Sequence, residues 1–188
     1  AEDFPSEALE EIRQERMVPV DEDSTFPPCR VEIVLGLEGR LFVILPTGVT
    51  TDLPFACNAP FVQYPARVKI KDPETSPTNR WLLRRAGELA AKALLAWVSD
   101  ETLDADQRAQ AYHLLSDVDR EENSLEGSCA ATIEQAIDDT LGESRFLMTE
   151  AGGLVARKEC QAVPQLLLDV WSHDQVAAFF ADEEQAIL

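Results

Sequence analysis

Between Arg67 and Arg85 the chain carries Arg67, Lys69, Lys71, Arg80, Arg84 and Arg85 against only Asp72 and Glu74, although over the whole sequence 16 Lys and Arg face 35 Asp and Glu. Cations at the mouth of a loop and the start of a helix can reach a phosphate or another acidic group. The same cations can instead neutralise carboxylates of this acidic chain, and the sequence leaves both readings open. Residues for covalent or acid–base catalysis are sparse. The two histidines, His113 and His173, each sit alone in a helical pattern, so a Ser or Cys nucleophile would meet one only by long-range assembly. The phosphate-cradling glycine loops, the GxSxG nucleophile elbow and the HExxH metal helix are absent from the sequence. Cys29, Cys57, Cys129 and Cys160 lie far apart with no CxxC and no histidine at zinc spacing, and they read as reduced, small core residues. No metal site is expected.

A net charge of −19 sets up a field that repels nucleic acid phosphates and anionic membrane surfaces, so nucleic acid is not expected as a partner and broad DNA or RNA binding is disfavoured. The apolar stretches Leu41 to Leu45 and Ala90 to Val98 fall short of the roughly 20 residues a spanning helix needs, so no membrane partner is expected. With 188 residues, 45% of them hydrophobic, the chain has material for one sizeable core or two small lobes sharing one. A cytoplasmic location fits these features. The acidic start at Ala1 is that of a piece of a longer polypeptide or of a processed terminus.

The elements that must position these side chains follow from periodicity and punctuation. Residues 4–17 place Leu9 and Ile12 at helical spacing behind Ser6 as an N-cap, and an acidic connector ending in Pro27 and Pro28 follows. Cys29 to Leu35 and Arg40 to Leu45 read as two arms of a β-hairpin about Gly36 to Gly39, the second arm the more central. Pro46 to Phe55 reads as a loop, with short strands expected at Phe61 to Tyr64 and Val68 to Ile70. Ser76 and Pro77 open a long helix through Val98, with Leu82, Leu83, Ala86, Leu89, Ala90, Ala93, Leu94 and Trp97 on its apolar stripe. Further helices are expected from Asp104 and over Cys129 to Leu141, the latter stopped by Gly142. A second hairpin is expected about Glu150 to Gly152, and Ser172 caps a last helix holding Val176, Ala177 and Phe180. The fold class is therefore α+β: a small N-terminal sheet based on a β-hairpin, central helices, a second small hairpin and a C-terminal helix. Residues 1–28 form the N-terminal helix and acidic, proline-containing linker, and residues 29–188 the α+β module, divisible into sub-lobes 29–100 and 101–188.

The string Gly39-Arg40-Leu41-Phe42-Val43-Ile44-Leu45-Pro46-Thr47-Gly48, then Leu53-Pro54-Phe55, Asn58-Ala59-Pro60-Phe61, Arg67 and Asn79-Arg80-Trp81-Leu82-Leu83, resembles the segment that follows the N-terminal GHKL-type ATPase domain in sacsin-like proteins. The stretch Phe146 to Val155 is similar to that segment's continuation. The chain departs from the pattern at Ala56-Cys57 and at Arg80, which falls between Asn79 and Trp81. The resemblance implies an accessory, middle-type module that couples nucleotide state in a preceding ATPase domain to conformational change or partner binding. It implies no catalytic residue and no cofactor in this chain itself, with ATP and Mg held by the preceding domain. It implies that domain and a protein client as partners. Arg67 falls on the family pattern as a phosphate-contacting candidate, and Lys69, Lys71 and Arg80 join it by charge and proximity. Thr47, Gly48 and Asn58 are the loop candidates. The competing reading is an acidic protein-interaction module with no link to nucleotide.

Overall fold

A computed structural model describes residues 4–17, 29–115, 124–149, 152–161, 165–172, 175–176, 178 and 186–187. These fall into two units, each made of interleaved stretches: residues 1–91 with 113–137, and residues 92–112 with 138–188. The second and fourth helices contribute residues to both. Among the described residues no helix is long and apolar enough to cross a membrane.

The first unit is built on a four-stranded sheet of β1 (Glu32–Leu35), β2 (Arg40–Val43), β3 (Leu45–Thr50) and β4 (Phe55–Asn58), in the order β1-β4-β2-β3. The two predicted hairpin arms do not pair with each other. β4 inserts between them, antiparallel to β1 and parallel to β2, while β2 pairs with β3 in the tight hairpin of this sheet. The physical reason is burial. Phe55, Ala56 and Cys57 are all nearly inaccessible, and a strand that apolar takes a central position. The expected centrality of β2 holds, but Pro46 to Phe55 is mostly strand where a loop was expected. Pro46 sits in β3 because it is the edge strand, where a missing donor costs no ladder bond. Of the strands expected at 61–64 and 68–70, the structure keeps one isolated bridge between Gln63 and Ile70.

Two helices dock against each other in this unit. α1 (Ser6–Arg16) starts after Pro5 with no side-chain cap, so Ser6 is its first helical residue and not its N-cap. α2 (Pro77–Val98) starts as expected: the Ser76 hydroxyl accepts from the Asn79 N–H at 3.2 Å. Glu11 of α1 strengthens that start, its Oε2 accepting from both the Ser76 hydroxyl and the Thr78 N–H at 2.9 Å. An anion there also meets the positive end of the helix dipole. Phe4 packs against Trp81 in a tilted ring pair with centroids 4.4 Å apart, and the Arg85 guanidinium carbon lies over the Trp81 indole, 5.0 Å from the ring centroid. The buried stripe of α2 runs through Leu82, Leu83, Ala86, Ala90 and Leu94, whereas Leu89, expected on it, is exposed. α4 (Leu125–Leu141) begins four residues before the predicted Cys129.

In the second unit, Asp104 caps α3 (Ala105–Ala109) through a reciprocal box with Gln107. A 3₁₀ turn over Gln110–Leu114 follows, and its exposed His113 is the first residue of the stretch that belongs to the first unit. His173 lies outside the described residues. The second hairpin forms as predicted between β5 (Leu147–Met148) and β6 (Leu154–Val155), with Gly152 at φ 79 in its turn. The Tyr112 hydroxyl pins it, donating to the Phe146 carbonyl at 2.6 Å and accepting from the Met148 N–H at 2.8 Å. β7 (Cys160–Gln161) and β8 (Ala186–Ile187) add a parallel pair that no local pattern signals. Beyond α5 (Gln165–Leu168), Ser172 accepts from the Gln175 N–H at 3.4 Å where the last helix was expected, and Val176 is buried; Ala177 and Phe180 lie outside what the structure describes.

Candidate functional site

The cations nominated by the sequence separate once their partners are known. Lys69 Nζ meets Glu126 Oε1 at 3.1 Å, and Lys71 is ion-paired with Glu15, which raises the Lys71 ammonium above the usual lysine range. Arg80 donates to the Pro73 carbonyl at 3.2 Å and faces Glu7 at 3.8 Å, while Arg85 meets Glu88 at 2.6 Å. The neutralising role that the sequence allowed is thus filled for these four. Arg67 is the exception: among the described residues its guanidinium has no carboxylate partner, and it is exposed. Its backbone is tightly held. The Arg67 N–H donates to the Tyr64 carbonyl at 2.8 Å, the Gln63 side chain donates to the Arg67 carbonyl at 3.1 Å, and φ stands at 53°.

The loop candidates hold structure. Thr47 is buried, its hydroxyl donating to the Leu41 carbonyl at 2.7 Å. The Gly48 N–H donates to the Val68 carbonyl at 2.7 Å, tying edge strand β3 to the 61–71 loop. Asn58 accepts from the Ile44 N–H and donates to Glu32, both at 3.1 Å. Asn79 of the same string spans the 61–71 loop with three bonds, to Val62 twice and to Lys71 once. Most polar residues that carry the family resemblance are thus occupied in holding the first unit together.

Arg67 lines an open cleft of about 930 Å³ within the first unit. Its walls come from Phe4 and Ile12 of the N-terminal segment, Val43 and Ile44 at the end of β2, and the 58–67 loop. Its charged lining is Arg30, Arg67, Lys71 and Glu15, three cations to one carboxylate in a chain whose net charge is −19. Comparison of the chain with family models, curated proteins and solved structures finds no match.

Two of the four described non-glycine residues with positive φ, Ile44 at 65° and Arg67 at 53°, line this cleft. Ile44 is the more unusual, because a β-branched side chain crowds the backbone in that region and this one is 89% exposed, so burial returns little. Backbone strain that contributes nothing to the core concentrates at functional surfaces. Replacing Ile44 by Gly should therefore stabilise the protein by about 1 kcal/mol, the scale of a relieved left-handed residue. Urea melts of the two proteins check this, and a less stable Gly variant would show that Ile44 is not strained.

The cysteines divide by position. Burial pushes the thiols of Cys57 and Cys129 up to about 12, so at neutral pH they are inert core residues as expected. Cys29 and Cys160 are free but only half-buried, which corrects their assignment to the core. Among the described residues no three His, Cys, Asp or Glu side chains come together as a metal-binding group.

Proposed function

We propose that this chain is an accessory module of a sacsin-like GHKL ATPase, acting in the cytoplasm, that couples the nucleotide state of a preceding domain to conformational change or client binding. Arg67 is its contribution to the nucleotide, a guanidinium offered to a phosphate that the other domain holds. The observation carrying the proposal is that Arg67, the one candidate cation on the family pattern, is also the one left without a carboxylate among the described residues. Such a cation offsets negative charge developing during phosphoryl transfer and takes no part in bond making.

In a polypeptide joining this chain to its ATPase domain, Arg67→Ala should lower ATP turnover at least about tenfold, the scale of one lost electrostatic contact to a transition state. Lys69→Ala should do less, since Lys69 is already spent on Glu126. The isolated chain should show no saturable heat with MgATP in calorimetry. Tight ATP binding by the isolated chain, or unchanged turnover in the Arg67 variant, would remove the proposal.

The reading as an interaction module keeps one observation in its favour. Ile44 and Leu45 are 89% and 72% exposed, and Val34, Leu35 and Leu37 are exposed on the same unit. Exposed aliphatic side chains in such number suit a protein-contacting surface.

A further inference from the structure

We propose that the cleft of the first unit is a binding site for a small amphipathic anion, an apolar body ending in a single carboxylate or phosphate, with the head group on Arg67. The proposal goes beyond the nucleotide reading and does not require a second domain. Its basis is an accounting of what the cleft leaves unused. Much of the donor capacity of the 59–71 wall is spent internally: the N–H groups of Ala59, Phe61, Val62, Tyr64 and Lys71 donate to Phe42, Ala59, Asn79, Lys69 and Val62. A peptide laid in the cleft would find no ladder of donors there, so strand addition is a poor fit. The polar side chains are spent as well, Asn58 on Ile44 and Glu32, Thr78 on Ala8, and Lys71 on Glu15.

What remains is an apolar wall that includes Ile12, Val43, Ile44, Pro60 and Tyr64, and, with Arg30 paired to Glu32 at 3.1 Å, Arg67 as the cation with no carboxylate partner among the described residues. A mostly apolar cleft with a single oriented charge is the form of a small-molecule site, and about 930 Å³ lies within the usual size of one. A carboxylate or phosphate matches the planar fork of a guanidinium in two parallel hydrogen bonds. The two left-handed residues, Ile44 and Arg67, supply one group of each kind, apolar and cationic, and both are held at the cleft by backbone bonds rather than by burial of their side chains.

The test is calorimetry on the isolated chain with octanoate, octyl phosphate, hexanoate and octan-1-ol, all below their micelle concentrations. Octanoate or octyl phosphate should bind saturably at one site, and the tighter of the two identifies the head group. Hexanoate should bind about 15-fold more weakly than octanoate, since it lacks two methylenes and each buried methylene is worth about fourfold in affinity. Octan-1-ol should bind at least tenfold more weakly than either anion, and Arg67→Ala should erase that preference. Ile44→Gly, a variant expected to fold at least as well as the parent, should weaken both anions at least threefold. Equal affinity for the alcohol and the anions, an Arg67→Ala variant that still prefers anions, or non-saturating binding would each overturn the site. None of these outcomes bears on ATP turnover, so failure here and failure of the nucleotide reading are distinguishable.

Discussion

Gly87→Ala should destabilise the protein by about 2–3 kcal/mol, although alanine is the better helix former by about 1 kcal/mol. A Cβ at residue 87 would lie 2.3 Å from the carbonyl oxygen of Ile133 and 2.8 Å from the Cβ of Ala136. The nearer atom is backbone, so no rotamer change can yield the space. α2 and α4 would have to move apart in the first unit, opening gaps around Leu83, Ala86, Ile133 and Ala136, all fully or nearly fully buried. Urea unfolding of the two proteins measures the difference. Adding Ala136→Gly should recover little, because it leaves the Ile133 carbonyl in place. A Gly87→Ala protein as stable as the parent would mean that the two helices do not approach this closely.

Most of the helical framework was legible. Ser76 and Pro77 mark the start of α2 because capping is a local act, readable within one turn. The hairpin at 147–155 was legible for the same reason, its turn needing a residue at positive φ and finding Gly152. The N-terminal sheet was only half legible. Leu41-Phe42-Val43-Ile44-Leu45 reads as one continuous strand, yet the chain reverses at Ile44 and pairs Val43 with Leu45, a left-handed turn on a residue type that almost never signals one. β4 was missed because its pairing with β1 and β2 is decided by distant partners and burial, not by any neighbour in sequence.

The basic island at 67–85 was visible as composition, but which of its members is uncommitted was not. Glu126 and Glu15, which occupy Lys69 and Lys71, lie 57 and 56 residues away along the chain. With 35 acids in the chain, only the fold could show that Arg67 is passed over by those among the described residues. The cleft was not legible at all, since its lining comes from five separate stretches of the chain.

Asn79→Leu should cost about 3–5 kcal/mol, the combined effect of a lost hydrogen-bond network and backbone groups left unpaired away from water. Asn79 is fully buried, and every polar atom of its amide is used: Oδ1 accepts from the Val62 N–H at 2.7 Å, while Nδ2 donates to the carbonyls of Val62 at 2.9 Å and Lys71 at 2.8 Å. One side chain thus fastens the 61–71 loop to the first turn of α2, and with it the loop that carries Arg67. Leucine is close in volume, so the loss would report hydrogen bonding and not a cavity. Asn79→Asp sharpens the assignment, because a carboxylate has no donor for the two carbonyls that Nδ2 serves. The neutral acid is then favoured in the folded state, which raises that carboxyl's folded pKa above its unfolded value near 4. The unfolded chain therefore binds fewer protons between the two values, and stability must fall as pH rises through them. Above both, the full penalty applies; below both, a protonated carboxyl regains one donor and part of the loss returns. Urea melts at about pH 7 and pH 4 relative to the parent at each pH read this directly. An Asp variant whose deficit is the same at both would mean that the amide donors of Asn79 do not hold the loop.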